Sequence, residues 1–440
     1  MIRRAGAIAL ALALALPPLR GQTGEPFVVR PSATPCLVVR SAPRSDAVPL
    51  SCILAGTAVS ADSAVPFWRR IRMPDGTIGW SAKKFLGAPS EAGIAPLPAA
   101  GGAAGPTTPA SIPDSAWLEI HVVDVGQGDG IWISTWDDGV PDNGRFEGRN
   151  IVIDGGPDAS DQRNEFLKYI LPRAHDGAVI DALIVTHPHN DHYPGARGIV
   201  AHFDVCDYYD PDTPNGPDFE RFMHEVGAAT CRGDPVRLRR GFPNFGRPDW
   251  GSELGVDFLW SGPITAGAPG MGSGGTRINN ASVVLKLTYG TQSFLFTGDA
   301  EGKERADDPE RPRYAEALML ADSAVASKLK STLIKVAHHG SETSSTTPFI
   351  RAVDPRFVIV SSGRRAYSGT FLPDSATLQR YCAHNSQIRI YRTDQNDAAE
   401  GRTTTTDADA DHIVIRTNGT VTVVQAYSAG QPYDPVACGP

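Results

Sequence analysis

The chain has 440 residues, with 41 Lys or Arg against 49 Asp or Glu and a formal net charge of -8. Hydrophobic residues at 41% and charged residues at 20% describe an ordinary soluble chain, long enough for about two or three domains. The acidic balance excludes a uniformly basic surface of the kind that grips duplex DNA, though not a small or already cleaved nucleic-acid substrate.

Met1-Ile2-Arg3-Arg4 is a short basic region, followed by an apolar run from Ala5 to Pro17. This is the layout of a secretory signal peptide. The run is shorter than the roughly 20 residues a membrane span needs. The signal is assigned to residues 1–22, which predicts a periplasmic or extracellular protein with no transmembrane span after cleavage. Leu16-Pro17-Pro18-Leu19 is a poor cleavage pattern, so an uncleaved anchor stays open as the alternative. Export gives the six cysteines a meaning: an even count in an oxidising compartment favours disulfides. The lack of a CxxC pair argues against a thiolate zinc knuckle. Proximity favours the pairs Cys36–Cys52, Cys206–Cys231 and Cys382–Cys438.

Residues 26–88 read as a small β domain. Short apolar runs recur at Phe27-Val28-Val29, Leu37-Val38-Val39, Thr57-Ala58-Val59 and Trp68-Arg69-Arg70-Ile71. Asp75-Gly76 marks a hairpin turn before Gly79-Trp80-Ser81. These phrases, with Arg40-Ser41-Ala42-Pro43 and Thr77-Ile78-Gly79-Trp80, resemble the bacterial SH3-like family. The resemblance implies a small barrel that takes a cell-wall or peptide ligand. Trp68 and Trp80 either line such a groove or fill the core of a tiny barrel, and the core is favoured. Residues 89–115 form a linker, whose Pro96-to-Pro106 stretch has neither charge nor apolar period.

Residues 116–440 change to strands separated by helices. Leu118 to Val125, Ile131 to Ser134, Asn150 to Ile153, Ala182 to Thr186, Ser282 to Tyr289, Ser293 to Gly298, Leu333 to Ala337 and Phe357 to Ser361 are strand-like. Asn164 to Leu171 suits a helix. Mixed elements around two sheets account for this grammar. The Pro- and Gly-rich stretch from Asp210 to Gly251 resists placement.

The chemistry concentrates in Thr186-His187-Pro188-His189-Asn190-Asp191-His192, directly after an apolar strand. Imidazoles with a carboxylate are a ligand set for zinc or manganese. The spacing lets His187 and His189 serve one position while Asp191 and His192 serve a second. Two metals about 3.5–4 Å apart activate a bridging water and hold substrate oxygens. Phe294 to Asp299 delivers a carboxylate at a strand exit, and Leu333 to Ser341 ends in His338-His339. One of these two histidines should bind metal, because adjacent side chains diverge. Asp154 ends another strand and is placed to hold a ligand imidazole in orientation.

These segments resemble the metallo-β-lactamase fold superfamily, and above all the β-lactamase-like domain of bacterial competence DNA-uptake channels. The resemblance is carried by Asp124-Val125-Gly126-Gln127-Gly128-Asp129, Ile153-Asp154-Gly155-Gly156, the His187–His192 cluster and Asn279-Asn280-Ala281-Ser282. It continues through Thr297-Gly298-Asp299, Lys335-Val336-Ala337-His338-His339-Gly340-Ser341 and Tyr391-Arg392-Thr393-Asp394. It implies an α/β fold, an αββα sandwich with a two-metal cleft at the sheet edges, behind the SH3-like barrel. Carried over by motif, His187 and His189 hold one metal, Asp191 and His192 the other, and Asp299 bridges. His338 is the first choice for the remaining ligand, with His339 in reserve as a catalytic group beside Asp191 and Asp299. Asn279 and Asn280 either orient loops near the cleft or touch substrate. Ser341, Arg364 and Arg365 are the candidates to meet substrate, although Ser341 also reads as a hydrogen-bonding turn residue.

Two departures stand out. Many members of the superfamily supply a further His before the bridging Asp; here only His202 and His224 are available, in no recognisable motif. The uptake-channel branch often has Tyr-Gly-His-Pro after the last core strand, where this chain has Ser362-Gly363-Arg364-Arg365 and continues to Pro373 without a His. The expected function is a secreted hydrolase with two divalent ions, zinc or manganese, acting as a phosphodiesterase or nuclease on nucleic acid or a small phosphodiester. The alternatives are hydrolysis of a cell-wall or lactam-like compound, and an inactive wall-binding adaptor, against which the intact ligand set argues.

Overall fold

The computed structural model divides into two compact units, Met1–Ala103 and Ala104–Pro440. In the first it describes residues 25–29, 37–42, 49–53, 57–65, 68–73, 78–82 and 86–87. In the second it describes residues 118–438 except 138–146, 175–177, 263–269, 368, 396, 398–409, 429–430, 434 and 436–437. The expected signal peptide, the linker, the Asp75-Gly76 turn and the Cys36–Cys52 pair lie outside what is described.

The first unit is a seven-stranded antiparallel sheet. Its strands are β1 (Glu25–Val29), β2 (Leu37–Arg40), β3 (Pro49–Ile53), β4 (Ala58–Val65), β5 (Trp68–Arg72), β6 (Ile78–Ala82) and β7 (Leu86–Gly87), in spatial order β3-β2-β6-β5-β4-β1-β7. β5 and β6 pair antiparallel, Arg72 facing Ile78, so the strands on either side of Asp75-Gly76 are joined as a hairpin requires. Val29, Leu37, Val39, Val59, Ile71, Met73 and Leu86 form its core, and the unit is compatible with a small barrel. Trp68 and Trp80 are both half-buried, outside that innermost set.

The second unit stacks two sheets. The larger runs through β8 (Leu118–Val122), β9 (Ile131–Thr135), β10 (Asn150–Ile153), β11 (Val179–Ile184) and β12 (Asp204–Asp210). The small ribbon β13 (Thr230–Cys231) and β14 (Asp234–Pro235) lies apart, and β15 (Arg237–Arg240) returns to the sheet edge. The second sheet holds β16 (Leu254–Trp260), β17 (Val284–Tyr289), β18 (Gln292–Phe296), β19 (Leu333–Lys335) and β20 (Phe357–Val360). A hairpin, β21 (Ala366–Tyr367) and β22 (Thr370–Phe371), precedes its last strand, β23 (Arg389–Arg392). β24 (Ile413–Thr417), β25 (Thr422–Ser428) and β26 (Gln431–Tyr433) complete the larger sheet beside β8.

Alternation explains why these strands are almost wholly apolar. Side chains point to opposite faces with a period of two, and both faces of both sheets are covered, as in parallel sheets generally. Ile151 and Ile153 of β10 enter the core between the sheets and Val152 the outer one; Phe294 and Phe296 of β18 face inward and Leu295 outward. α1 (Glu165–Ile170), α2 (Ala196–His202) and α3 (Gly216–Ala228) cover the larger sheet through Phe166, Ile199 and Phe222. α5 (Tyr314–Ala321), α7 (Thr347–Val353) and α8 (Ser375–His384) cover the other through Met319, Ile350 and Tyr381. Two shorter helices, α4 (Gly274–Asn280) and α6 (Ser323–Ala326), lie in the connections. The result is the αββα sandwich. No described helix is long and apolar enough to cross a membrane.

The segment that resisted placement, 210–251, folds as α3 and the edge strand β15. α3 begins at Gly216-Pro217, with Pro in the first turn where its missing N–H costs nothing. Cys206–Cys231 and Cys382–Cys438 are disulfides, two of the three pairs expected.

Candidate metal centre

β10, β11 and β12 run parallel in one sheet, and β18, β19 and β20 run parallel in the other. Their C-terminal ends release short polar segments: Asp154 after β10, His187–His192 after β11, Asp299 after β18, and Ala337–Gly340 after β19. The Gly126–Gly130 turn between β8 and β9 closes against them. Gly128 sits at φ 150°, and a Cβ there would run into the Asp191 carbonyl, whose oxygen accepts the Asp129 N–H at 3.1 Å. Only glycine allows that approach.

Asp299 is the hub. Its Oδ2 lies 3.3 Å from His192 Nε2, 3.5 Å from His339 Nε2 and 3.6 Å from His187 Nε2. Asp191 Oδ2 is 3.5 Å from His339 Nε2, and its Oδ1 is 3.9 Å from His192 Nε2. Each of these three imidazoles uses its other nitrogen on a support. His192 Nδ1 contacts Asp154 Oδ2 at 2.8 Å. His339 Nδ1 donates to the Ser361 carbonyl at 2.9 Å. His187 Nδ1 lies 3.1 Å from Thr186 Oγ1 and 3.3 Å from Ser282 Oγ. Asp154 also accepts the Thr186 N–H at 2.8 Å and hydroxyl at 2.6 Å, so one carboxylate fixes both the strand exit and the His192 ring. Holding the outer nitrogen leaves the inner one aimed at the centre, which is how metal-binding histidines are oriented.

The donor set fits divalent cations. His192 Nε2, His339 Nε2 and one oxygen of Asp299 are buried without a hydrogen-bond partner, a cost a native fold accepts where another group completes the site. Among the described residues four groups have ligand atoms close enough to share an ion, the first two being His187, His192 and Asp299, and Asp191, His192 and His339. Asp129 also approaches Asp299 and His339, but it is ion-paired with Lys335, and Asp154 is consumed by Thr186 and His192, so the first two groups are the better sites. Electrostatics agree. Burial pulls the His339 imidazole down, yet the Asp299 and Asp129 carboxylates overcome it and hold it up to about 10. Burial likewise opposes a charged His192, and Asp299 and Asp154 raise it well above the usual range. Asp299 stays far below the carboxylate range despite burial, because His339, His192 and His187 surround it. The centre concentrates negative charge and demands cations.

The residues expected from sequence do not all converge. His338 points away: its Nδ1 lies 2.9 Å from Thr343 Oγ1 and its Nε2 3.5 Å from Asn279 Nδ2. His339 occupies the position expected of His338. Both have positive φ, 50° and 51°, and this strained turn sends the two rings to opposite sides. His189 lies outside both tight groups, with its Nδ1 3.0 Å from His187 Nε2. Asn279 donates to Glu301 Oε1 at 2.7 Å. Asn280 is fully buried as a bracket: its Oδ1 accepts the Glu301 and Ala315 N–H groups at 2.9 and 3.3 Å. Ser341 is also buried, and its hydroxyl accepts from Thr343 at 3.1 Å, as in a hydrogen-bonding turn. Arg364 packs on Phe371 and Arg365 is exposed. His202 pairs with Asp161 at 2.9 Å and His224 is exposed on α3, so neither supplies the further ligand.

Three participants carried no role in the sequence reading. Lys335 has the parity of Leu333, so its side chain enters the inter-sheet space, where it pairs with Asp129 and lies 3.3 Å from the Gly298 carbonyl. Alternation along β19 was the available signal. Asp129 Oδ1 stands 3.4 Å from His339 Nδ1. Ser282 donates nothing to Asp299 but accepts its N–H at 3.0 Å.

The family model described as the metallo-beta-lactamase superfamily matches residues 145–364. ComE operon protein 3 of Bacillus subtilis is 27% identical over 299 residues, which cover 64% of this chain and 33% of that protein. Recombination protein 2 of Haemophilus influenzae is 26% identical over 275 residues, 61% of this chain and 27% of the relative. Competence protein ComA of Neisseria gonorrhoeae is 32% identical over 123 residues, 28% and 15% respectively. The chain thus spans a third or less of the length of these curated relatives. Superfamily members are mostly metal-dependent hydrolases that bind divalent ions. With half of its length matched by the family model and its His and Asp ligands gathered at the strand ends of both sheets, this chain belongs to the metallo-beta-lactamase superfamily.

Proposed function

We propose that the chain is a secreted metal-dependent phosphodiesterase, acting on nucleic acid or a small phosphodiester through a water held at the Asp299 centre. The observation that carries this reading is Asp299 Oδ2 within 3.3–3.6 Å of three imidazole nitrogens, each backed by its own support. When bound, two divalent ions, zinc or manganese, supply an activated water and neutralise charge on the substrate oxygens. His187, His192, His339, Asp191 and Asp299 are the residues that would hold them. Asp154, Ser361, Thr186 and Ser282 keep the three rings turned inward. His187, His192, His339 and Asp299 are all buried, which strengthens every electrostatic interaction at the centre. No Ser or Cys nucleophile is required. The competence and recombination names of the relatives favour DNA among phosphodiesters. The signal-like N-terminus and the two disulfides favour a periplasmic or extracellular site.

A second reading, hydrolysis of a cell-wall or lactam-like compound, draws on the β-rich first unit and its likeness to SH3-like modules. Metal analysis of the purified chain, with hydrolysis of bis-p-nitrophenyl phosphate, single-stranded DNA and a chromogenic lactam, separates the two. Turnover of the phosphodiesters alone supports the proposal; turnover of the lactam alone supports the second reading. Bound metal absent together with all three activities leaves the adaptor, which a pull-down on isolated peptidoglycan would then identify.

A further inference from the structure

The stretch from Ser361 to Asp374 is tied at both ends to the turn that carries His339. At its start the Ser361 carbonyl accepts from His339 Nδ1 at 2.9 Å. At its end the Asp374 N–H donates to the Gly340 carbonyl at 3.0 Å. The Ser362 hydroxyl donates to the Leu372 carbonyl at 3.0 Å and closes the base. The Gly363 N–H donates to Gln127 Oε1 at 3.2 Å, and a Cβ at Gly363 would collide with Gly126. What projects from this clamp is the hairpin of β21 and β22, with Ala366 opposite Phe371. β20 runs parallel to β19, so the hairpin leaves the sheet at the edge where the centre lies.

The hairpin carries a cation–aromatic pair. The Arg364 guanidinium lies over the Phe371 ring, 4.3 Å from its centroid, and makes no ion pair among the described residues. Its neighbours differ: Arg392 is spent on Asp394 and Arg305 on Asp374. Phe371 is nevertheless 39% exposed. The guanidinium therefore leaves part of the residue open to solvent. Phe371 thus offers a partly exposed aromatic surface beside a cation without a carboxylate partner among the described residues. It matches what single-stranded nucleic acid requires, a stacking platform beside a phosphate-binding charge.

We infer that the Arg364–Phe371 hairpin is the rim on which an unpaired nucleotide of a single-stranded substrate seats, its base on Phe371 and its phosphate against Arg364. This rests on the phosphodiesterase reading for its purpose, but not for its test. Fluorescence anisotropy of the full chain with a labelled thymidine oligomer, in chelator and at low salt, reads binding without turnover. Phe371→Ala should weaken binding about 5- to 100-fold, the range for one lost base–aromatic stack. Phe371→Trp should restore it, and Phe242→Ala, which removes an exposed ring elsewhere, should leave it intact. An abasic oligomer of the same length should become insensitive to Phe371→Ala while staying sensitive to Arg364→Ala. Equal binding by Phe371→Ala and the parent chain, or equal losses with and without bases, would overturn the inference. Failure of the parent chain to cleave any phosphodiester while Phe371 still governs oligomer binding would instead overturn the catalytic reading and leave the rim standing.

Discussion

Lys335→Met tests whether the two sheets are held together at the centre by charge. Lys335 and Asp129 are 1% and 2% exposed and pair across 206 residues of sequence. Among the described residues, Asp129 has no other close cation besides the histidines of the centre, His339 at 3.4 Å and His192 at 3.8 Å. Removing one partner of such a pair strands a charge in the interior and costs about 3–5 kcal/mol. The larger unit has roughly 340 residues, and at about 2.1 cal/mol/K per residue its unfolding entropy is near 0.7 kcal/mol/K. The melting transition of that unit should therefore fall by about 4–7 °C in metal-free protein followed by calorimetry. The double variant Lys335→Met/Asp129→Leu removes both charges and keeps similar volume, so it should regain most of the loss. Buried pairs replaced together by apolar groups are often neutral. The reasoning fails if Lys335→Met melts within about 1 °C of the parent, or if the double variant loses the sum of the two single losses.

Two further outcomes follow from the site and from the far end of the chain. His339→Ala should lose bound metal, read by elemental analysis, and cut hydrolysis by more than about 100-fold, the most that loss of a mere supporting group brings; His338→Ala should keep its metal. The opposite pattern would return the ligand to His338. His412 gives a pH effect: burial, with the positive charges of Arg173 and His121, holds its imidazole down to about 3, and its Nδ1 accepts the Asp124 N–H at 3.1 Å. The folded state then binds fewer protons than the unfolded state between about pH 3 and 6.5, so stability falls as pH falls through that window, by at most about 1.4 kcal/mol per unit. His412→Gln should flatten the melting temperature between pH 7 and 5, and parallel curves for variant and parent would refute the assignment.

The sites of chemistry were legible because the fold leaves them few places. Strands buried on both faces, such as Ile151–Ile153 and Phe294–Phe296, carry apolar side chains throughout and release polar ones where they stop. A carboxylate or a His cluster placed directly after such a run therefore reads as a site without any structure. The choice between His338 and His339 was not legible for the converse reason. Their rings are parted by two positive φ angles, and the ring that turns inward is selected by the Ser361 carbonyl at the end of the next strand. Nothing local to His338-His339 encodes that carbonyl. The 210–251 segment failed similarly: α3 is held by Phe219 and Phe222 against Tyr193 and Tyr208, and β15 by Arg237 and Arg240 on Asp207 and Asp210, partners about 30 residues away on β12.

Lys335 lies between these cases and shows what decides them. Its strand is legible in the apolar run, and counting by two from Leu333 assigns its side chain to the inner face. That much is local. The identity of its partner is not, since Asp129 sits in a glycine turn of the other sheet, chosen by the Gly128–Asp191 approach. A buried cation predicts that some carboxylate must come to it, because its desolvation would otherwise be uncompensated. Periodicity therefore reveals the demand for a partner, while only the assembled sandwich names it. Asp129 meets that demand with one oxygen and keeps the other 3.4 Å from His339, so the charge that joins the sheets is also the charge that holds the centre's imidazole.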